Sequence, residues 1–179
     1  MELFDELNDN GEYTGRTVTR EDAHNNGLRH RGVILFIVNS KNQVLMQQRS
    51  ATKRQWPNCW DGAGGGHVDA GELGMFAAIR ELYEELGIKV KPSEVRYIGA
   101  YLSEQKTDKV WNKHFNEFYV AHKNVNPKKI KIQESEVQQI QWIDFPRFKE
   151  WTRSRSPELT EKYVAFDALI HYIEKYVLN

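Results

Sequence analysis

Apolar residues form a near-continuous run at residues 32–39, GVILFIVN, which is typical of a strand buried on both faces. Turn residues follow, and residues 43–49, QVLMQQR, predict a strand that forms a hairpin with the first. A long strand rich in aromatic residues is predicted at residues 110–121, where it can pair with residues 100–104. The hydrophobic pattern therefore predicts a sheet in the middle of the molecule.

Helical patterns alternate with these strands. Residues 73–86 contain no proline and are dominated by alanine, leucine, methionine and glutamate, so they predict a helix that ends at Gly87. Asp144 is placed to cap a short helix at residues 145–152. A C-terminal helix is predicted at about residues 158–177, because its apolar residues recur on one helical face. These residues are Leu159, Tyr163, Phe166, Ile170, Ile173 and Val177.

The remaining segments give weaker patterns. Residues 2–20 predict short strand pieces joined by turns, and a brief helix is predicted at residues 20–24. Residues 88–101 mix strand and loop, and residues 140–143 predict one more strand. No internal repeat or low-complexity tract interrupts this order of strands and helices.

Length, composition and charge narrow the class of protein. The chain has 179 residues, of which 40% are hydrophobic and 28% are charged, so we expect one globular domain over residues 1–179. Basic and acidic residues number 25 each, and this zero net charge gives no support to a nucleic-acid partner. One cysteine excludes an internal disulfide, and the acidic N-terminus lacks the apolar core of a signal peptide. No apolar run is long enough for a membrane span, so we expect a cytoplasmic protein.

Three carboxylates fall on one face of the helix predicted at residues 73–86. Glu81, Glu84 and Glu85 are spaced i, i+3 and i+4, so they repel one another by roughly a few tenths of a kcal/mol per pair. A hard divalent cation, Mg²⁺ or Mn²⁺, removes this repulsion and prefers oxygen ligands. The alternative interpretation is a solvated acidic face that binds nothing.

Glycines precede the acidic helix and extend the pattern. Gly62, Gly64, Gly65 and Gly66 carry no side chains, so the backbone can pass close to a ligand or a metal ion. Residues 66–88 have the spacing Gly-x5-Glu-x7-Arg-Glu-apolar-x-Glu-Glu-x-Gly-apolar. With average residue usage, a chance match in a chain of this length is on the order of one in a million. The complete spacing therefore favours a metal site over a solvated face.

This segment resembles the Nudix box and meets it without a mismatch, so the sequence is identified as a member of the Nudix superfamily. The resemblance implies the Nudix fold, an α/β/α sandwich with a mixed β-sheet, in which the box forms a strand-loop-helix. It also implies that the box holds Mg²⁺ or Mn²⁺ and promotes the attack of water on a diphosphate. The implied metal ligands are Glu81, Glu84, Glu85 and the carbonyl oxygen of Gly66.

Other residues complete the site that we expect. Arg80 points away from the acidic face and is a suitable partner for Glu72, so these two would brace the loop against the helix. A more distant acid usually completes such sites in the family, and Glu136, six residues before Trp142, fits best. Glu134 and Glu117 are the reserves for this role.

Two cations, Arg49 and Lys53, are predicted close to the glycine run, where their spacing suits a diphosphate. The alternative is that both are solvated. The sequence is more specifically similar to the branch that contains isopentenyl-diphosphate isomerases and their hydrolase relatives. In isomerases of this branch, histidines at the positions of His24, His30 and His67 join an acidic pair in binding a metal. We also expect His67 to contact the substrate.

One departure from the isomerases affects the expected reaction. They place a catalytic cysteine immediately before the Gly-His pair, and this chain has Gly65 there. Its only thiol, Cys59, lies in a tryptophan-rich loop where we expect packing. Moving a double bond needs a positioned acid and base, and a glycine supplies neither. The expected function is therefore hydrolysis of a phosphorus-containing anhydride.

The expected substrate is a small-molecule diphosphate, joined to a nucleoside or a related group. An isopentenyl-diphosphate isomerase and a non-catalytic nucleotide-sensing module are the two alternatives. We expect loops at residues 50–60, 103–112 and 123–136 to select the leaving group. The resemblance also makes a homodimer an option for the assembly.

Overall fold

The computed structural model describes residues 1–107 and 110–178. Residues 108, 109 and 179 of the predicted domain lie outside the described residues, and the first two belong to the loop predicted at 103–112. Among the described residues, no helix is both long enough and apolar enough to cross a membrane.

A small unit opens the chain. Two antiparallel strands, β1 (Leu3–Leu7) and β2 (Tyr13–Thr19), lead into a short helix, α1 (Arg20–Asn26). The backbone N–H of Asp22 donates to Oγ1 of Thr19 at 3.1 Å, which satisfies a free donor at the helix N-terminus. The strand pieces and the brief helix predicted here are therefore present.

A seven-stranded mixed sheet forms the middle of the molecule. The strand His30–Val38 runs parallel to the strand Trp111–His122, and the other strand pairings are antiparallel. The strands are β3 (His30–Val38), β4 (Gln43–Arg49), β5 (Trp60–Asp61), β6 (Gly64–His67), β7 (Val95–Lys106), β8 (Trp111–His122) and β9 (Val137–Asp144).

Helices cover both faces of this sheet, as the α/β/α sandwich predicts. They are α2 (Gly74–Leu86), α3 (Phe145–Arg153) and α4 (Tyr163–Tyr176), with short 3₁₀ turns at Pro92–Glu94 and Pro127–Lys129. Side chains of β3 alternate between the two faces. Ile34 and Phe36 pack with α3 and α4, whereas Val33 and Leu35 pack with α2. This explains the unbroken apolar run, because both faces of β3 are buried.

Strand pairing corrects one detail of the sequence analysis. The predicted hairpin between β3 and β4 forms at its tip only, where Ile37 pairs with Leu45 and Val38 with Val44. The earlier part of β3 pairs instead with the glycine strand β6. The predicted pairing of residues 100–104 with β8 is confirmed, since Ala100 lies opposite Glu117.

The predicted helix boundaries agree with the structure, except for the start of α4. Helix α2 ends at Gly87, which adopts a left-handed conformation with φ of 64°, as predicted. The C-terminal helix was predicted from about residue 158 but begins at Tyr163. Before it, Trp60 donates its N–H to the carbonyl of Glu158 at 2.7 Å and accepts from Thr160 at 2.9 Å. These backbone groups pair with β5, so they are not available to a helix.

Candidate active site

A cleft of about 1210 Å³ opens beside β6 and the acidic face of α2. The loop after β4, the segment before β9 and parts of β7 and β8 are among its other walls. Glu72 is not part of the lining and lies behind it, in contact with Arg80. The predicted site residues that line the cleft are Arg49, Lys53, Gly66, His67, Arg80, Glu81, Glu84, Glu85 and Glu136.

Gly66 and Glu81 meet where β6 passes the acidic helix. A Cβ atom at position 66 would overlap the carboxylate of Glu81. The requirement for glycine here is thus one of space, because the backbone must lie directly against an acidic side chain. Gly66 and Glu81 both line the cleft.

Glu85 is a buried acid, with only 6% of the residue exposed. Its Oε2 accepts hydrogen bonds from Nε2 of Gln47 at 3.0 Å and from the N–H of Gly65 at 3.3 Å. Burial raises the pKa of Glu85 to about 8. The two hydrogen bonds oppose this rise, whereas the neighbouring charge of Glu81 adds to it. Burial also raises the pKa of Glu81, opposed by Arg80.

Glu84 stands apart from the other two carboxylates of the helix. Its side chain is 52% exposed, compared with 16% for Glu81. The single face inferred from spacing is therefore divided into two inward acids and one that reaches solvent.

Arg80 holds the loop against the helix, as predicted. Its Nη2 and Nε donate to the two carboxylate oxygens of Glu72 at 2.9 and 3.2 Å, and Nη2 also donates to the carbonyl of His67 at 3.1 Å. The expectation that it points away from the acidic face is wrong, because Nη1 lies 2.8 Å from Glu81 and 3.4 Å from Glu84. The flat guanidinium spreads over three carboxylates, since it carries five N–H donors in one plane.

Arg49 and Lys53 both line the cleft and both have acidic partners. Nη1 of Arg49 lies 3.6 Å from the buried carboxylate of Asp61. Lys53 forms an ion pair with Glu136, the predicted distant acid. The structure therefore brings these two predicted residues together, although 83 positions separate them.

Two residues near the cleft were not predicted in their observed positions. His114, on β8, joins His24, His30 and His67 in one cluster, and no spacing in the sequence indicates this. Glu117, a reserve for the distant acid, is 9% exposed and paired with Arg31. The parallel pairing of β3 with β8 creates both neighbourhoods.

The donor set around Gly66 fits a hard divalent cation. Glu81 and Glu85 are carboxylates with raised pKa values, and the only cation recorded in contact with either, among the described residues, is Arg80 at Glu81. A positive charge beside Glu85 would lower its pKa again, so that the group is a carboxylate at neutral pH. The missing side chain at position 66 lets the backbone lie directly beside the carboxylate of Glu81.

The fold and the cleft define an α/β/α sandwich with an oxygen-rich acidic site. A family model described as the NUDIX domain matches residues 28–163. The chain belongs to the NUDIX domain family.

Individual relatives agree with this membership. The chain is 33% identical over 172 residues to "Nudix hydrolase 3" of Arabidopsis thaliana, covering 93% of this chain but only 22% of that protein. It is also 30% identical to the isopentenyl-diphosphate Delta-isomerase of Escherichia coli O127:H6, covering 77% of this chain and 74% of the isomerase. A crystal structure from Deinococcus radiodurans has the same fold, with a TM-score of 0.70, 22% identity and coverage of 94% and 98% of the two chains.

Proposed function

We propose that this chain is a hydrolase that uses Mg²⁺ or Mn²⁺ to cleave a diphosphate linkage in a small molecule, with a nucleoside diphosphate-linked compound as the substrate class. The observation that carries the proposal is the placement of Glu81 against Gly66 and of Glu85 against the N–H of Gly65. Two shielded carboxylates beside a glycine backbone are suited to a hard cation, which prefers oxygen ligands. We also propose that residues 1–179 act as one domain, in the cytoplasm.

Glu81, Glu85 and the carbonyl of Gly66 would hold the cation, with Glu84 at the solvent side. When bound, the cation supplies a lowered pKa for water and neutralisation of phosphate charge. Arg80 keeps Glu81 in place, and it fixes the loop by donating to the carboxylate of Glu72 and to the carbonyl of His67 at the end of β6. The protein thus presents its ligands in a fixed arrangement before the substrate arrives.

Arg49 and Lys53 would bind the diphosphate, and His67 would contact the substrate from the opposite wall. Charge-assisted hydrogen bonds to phosphate oxygens are strong, and both cations face the cleft. Lys53 is paired with Glu136, so it would exchange this carboxylate for a phosphate oxygen when the substrate binds. When a phosphate oxygen takes over Lys53, the carboxylate of Glu136 is released beside the reacting group and completes the acidic set.

The experiment is a screen of nucleoside di- and triphosphates, nucleotide sugars, dinucleotides and isoprenoid diphosphates with Mg²⁺ or Mn²⁺, followed by Glu85→Gln. The amide oxygen of glutamine can still accept from Gln47 and Gly65, so the fold should persist while hydrolysis is lost. Glu150→Gln is the matched control, because Glu150 is exposed on α3, across the sheet from α2. A fully active Glu85→Gln protein would reject the proposal.

An isopentenyl-diphosphate isomerase is the second candidate, favoured by the identity to the E. coli isomerase and by the histidines. The structure holds Cys59 away from the expected position, since its thiol lies 3.8 Å from the carbonyl of Pro157. Burial also raises the pKa of this thiol. Double-bond migration in isopentenyl diphosphate, followed by proton NMR, would support the isomerase. Tight nucleotide binding with neither reaction would support the non-catalytic module.

A further inference from the structure

Uncharged polar side chains follow one wall of the cleft, where β7 pairs with β8. Gln105 lies directly opposite Asn112 in this pairing, and Ser103 and Asn116 continue the same alternation. Residues two apart on a strand, and residues directly opposite on its partner, share one face of a sheet. Each of these four residues lines the cleft. This wall therefore presents amides and a hydroxyl to whatever occupies the cleft.

The amides form a hydrogen-bonded chain that crosses from the strands to the loop after β4. Nδ2 of Asn112 donates to Oε1 of Gln55 at 2.8 Å, and Nε2 of Gln55 donates to Oε1 of Gln105 at 3.2 Å. On the loop side, Nε of Arg49 donates to the backbone carbonyl of Gln55 at 3.3 Å. The amide wall therefore adjoins the cation that is proposed to bind the diphosphate.

Asn112 has an acceptor without a donor. The residue is 8% exposed, and its Oδ1 makes no hydrogen bond within the part of the chain that the structure describes. Its Nδ2 donates to Gln55, so the unpaired atom is the amide oxygen. Buried polar groups are normally paired, and an unpaired one indicates a missing partner. Because Asn112 lines the cleft, a ligand there can supply the N–H.

Trp56 adds a flat apolar surface to the same part of the cleft. It follows Gln55 directly, is partly exposed and lines the cleft. Trp60, by contrast, is buried and packs against Trp151 at 6.5 Å between ring centroids. The backbone of Trp56 has a φ of 46°, a left-handed conformation that bulky residues rarely adopt and that clusters at ligand sites. The indole of Trp56 is thus available to a flat ligand, whereas that of Trp60 is not.

We propose that Trp56, Gln55, Gln105 and Asn112 form a subsite for the base of a nucleotide. The base would stack on the indole of Trp56 and donate an N–H to Oδ1 of Asn112, beside the diphosphate at Arg49. Aromatic side chains stack on unpaired bases, and amides form hydrogen bonds with the base edges. The inference rests on the proposed function, because the diphosphate site places the base at this wall.

An isoprenoid chain does not suit this wall. It carries no N–H or O–H, so it would leave Oδ1 of Asn112 unpaired and would cover the amides of Gln55 and Gln105 with hydrocarbon. Burying polar groups without partners costs free energy. Sites built for hydrogen bonds therefore reject analogues that lack the matching groups. The subsite favours a nucleoside over an isoprenoid as the group attached to the diphosphate.

The test separates the two ends of the ligand. The probes are α,β-methylene-ADP, α,β-methylene-CDP and methylenediphosphonate, whose P–C–P bridges resist hydrolysis. Titration calorimetry on the full chain with Mg²⁺ measures the Kd of each. The nucleotide analogues should bind the wild-type chain about 10-fold or more tightly than methylenediphosphonate, because they alone gain the stacking and hydrogen-bond contacts of a base.

Two variants address the base contacts. Asn112→Leu and Trp56→Ala should each weaken the nucleotide analogues about 10-fold and leave the Kd of methylenediphosphonate unchanged. Leucine is close to asparagine in shape, which favours retention of the fold, and Trp56→Phe should preserve most of the affinity because it keeps a ring. Gln138→Leu is the matched control, since Gln138 is exposed on β9 and is not among the residues that line the cleft.

Several results would overturn the subsite. They are equal affinity of the wild-type chain for all three probes, no greater loss in Asn112→Leu and Trp56→Ala than in Gln138→Leu, and a parallel loss of methylenediphosphonate in the two variants. The proposed diphosphate site has its own readout, because Lys53→Met should weaken all three probes. If it weakens none, that site fails. Adenosine and cytidine, which lack phosphate, then decide the base subsite by whether Asn112→Leu weakens their binding.

Discussion

Nζ of Lys162 lies 2.6 Å from Oδ2 of Asp61, and the carboxylate is almost fully buried, with 4% of the side chain exposed. Arg49 approaches the same oxygen at 3.6 Å. Asp61 therefore connects a cleft cation that is proposed to bind phosphate with the segment that leads into α4. Because the acid is enclosed, its two cations decide whether it can remain charged.

Lys162→Met should destabilise the protein by about 3 kcal/mol, because it leaves a buried carboxylate whose one remaining cationic partner among the described residues is Arg49. Chemical denaturation would measure the change in the free energy of unfolding. Lys149→Met is the control, since Lys149 pairs with the more exposed Glu174 and the loss of a solvent-screened pair should change stability much less. Equal losses in the two variants would contradict this role of Asp61.

The same pair predicts a dependence of stability on pH. Burial alone would raise the pKa of Asp61, but the charges of Lys162 and Arg49 outweigh it and lower the pKa below 3.8. A lowered pKa in the folded state adds stability above about pH 4, and this stability is lost as the pH falls. The difference in unfolding free energy between wild type and Lys162→Met should therefore be larger at pH 7 than at about pH 3, below the ordinary pKa of an aspartate. A difference that does not change with pH would show that Asp61 is not the group involved.

Gly66→Ala should reduce metal-dependent activity by about 10- to 100-fold, because the new Cβ displaces the carboxylate of Glu81. Steady-state kinetics across a series of Mn²⁺ concentrations would show a higher metal requirement. Gly15→Ala is the control: position 15 has open space but a φ of 87°, so alanine there strains the backbone at a residue that does not line the cleft. Comparable activity in both variants would argue against a ligand role for the segment at Gly66.

Lys53→Met should raise KM about tenfold or more with a smaller change in kcat, because it removes a cation that is proposed to bind the diphosphate. Raising the ionic strength should narrow the gap between variant and wild type, since salt screens the lost attraction. Lys41→Met serves for comparison, because Lys41 is exposed in the turn between β3 and β4. An unchanged KM in Lys53→Met would remove this residue from the proposed substrate contacts.

Local sequence determined the elements and the acidic part of the site. The glycines at 66 and 87, the run of helix-forming residues between them and the spacing of Glu81 and Glu85 are all short-range features. Their structure follows from backbone freedom and helical periodicity, which act over a few residues. The apolar run of β3 similarly specified burial on both faces. For this reason, the predicted helix α2 and the central strand agree with the structure.

Tertiary structure alone decided which distant side chains meet. Parallel pairing placed His114 beside His30, and alternation along β8 sent Glu117 to the opposite face, toward Arg31. Backbone pairing with β5 delayed the start of α4 until Tyr163. The sequence carries no local signal for these contacts, because register between strands is set by the packing of the whole sheet. Spacing along the chain could therefore identify the acids of one helix, but not the histidines of three strands.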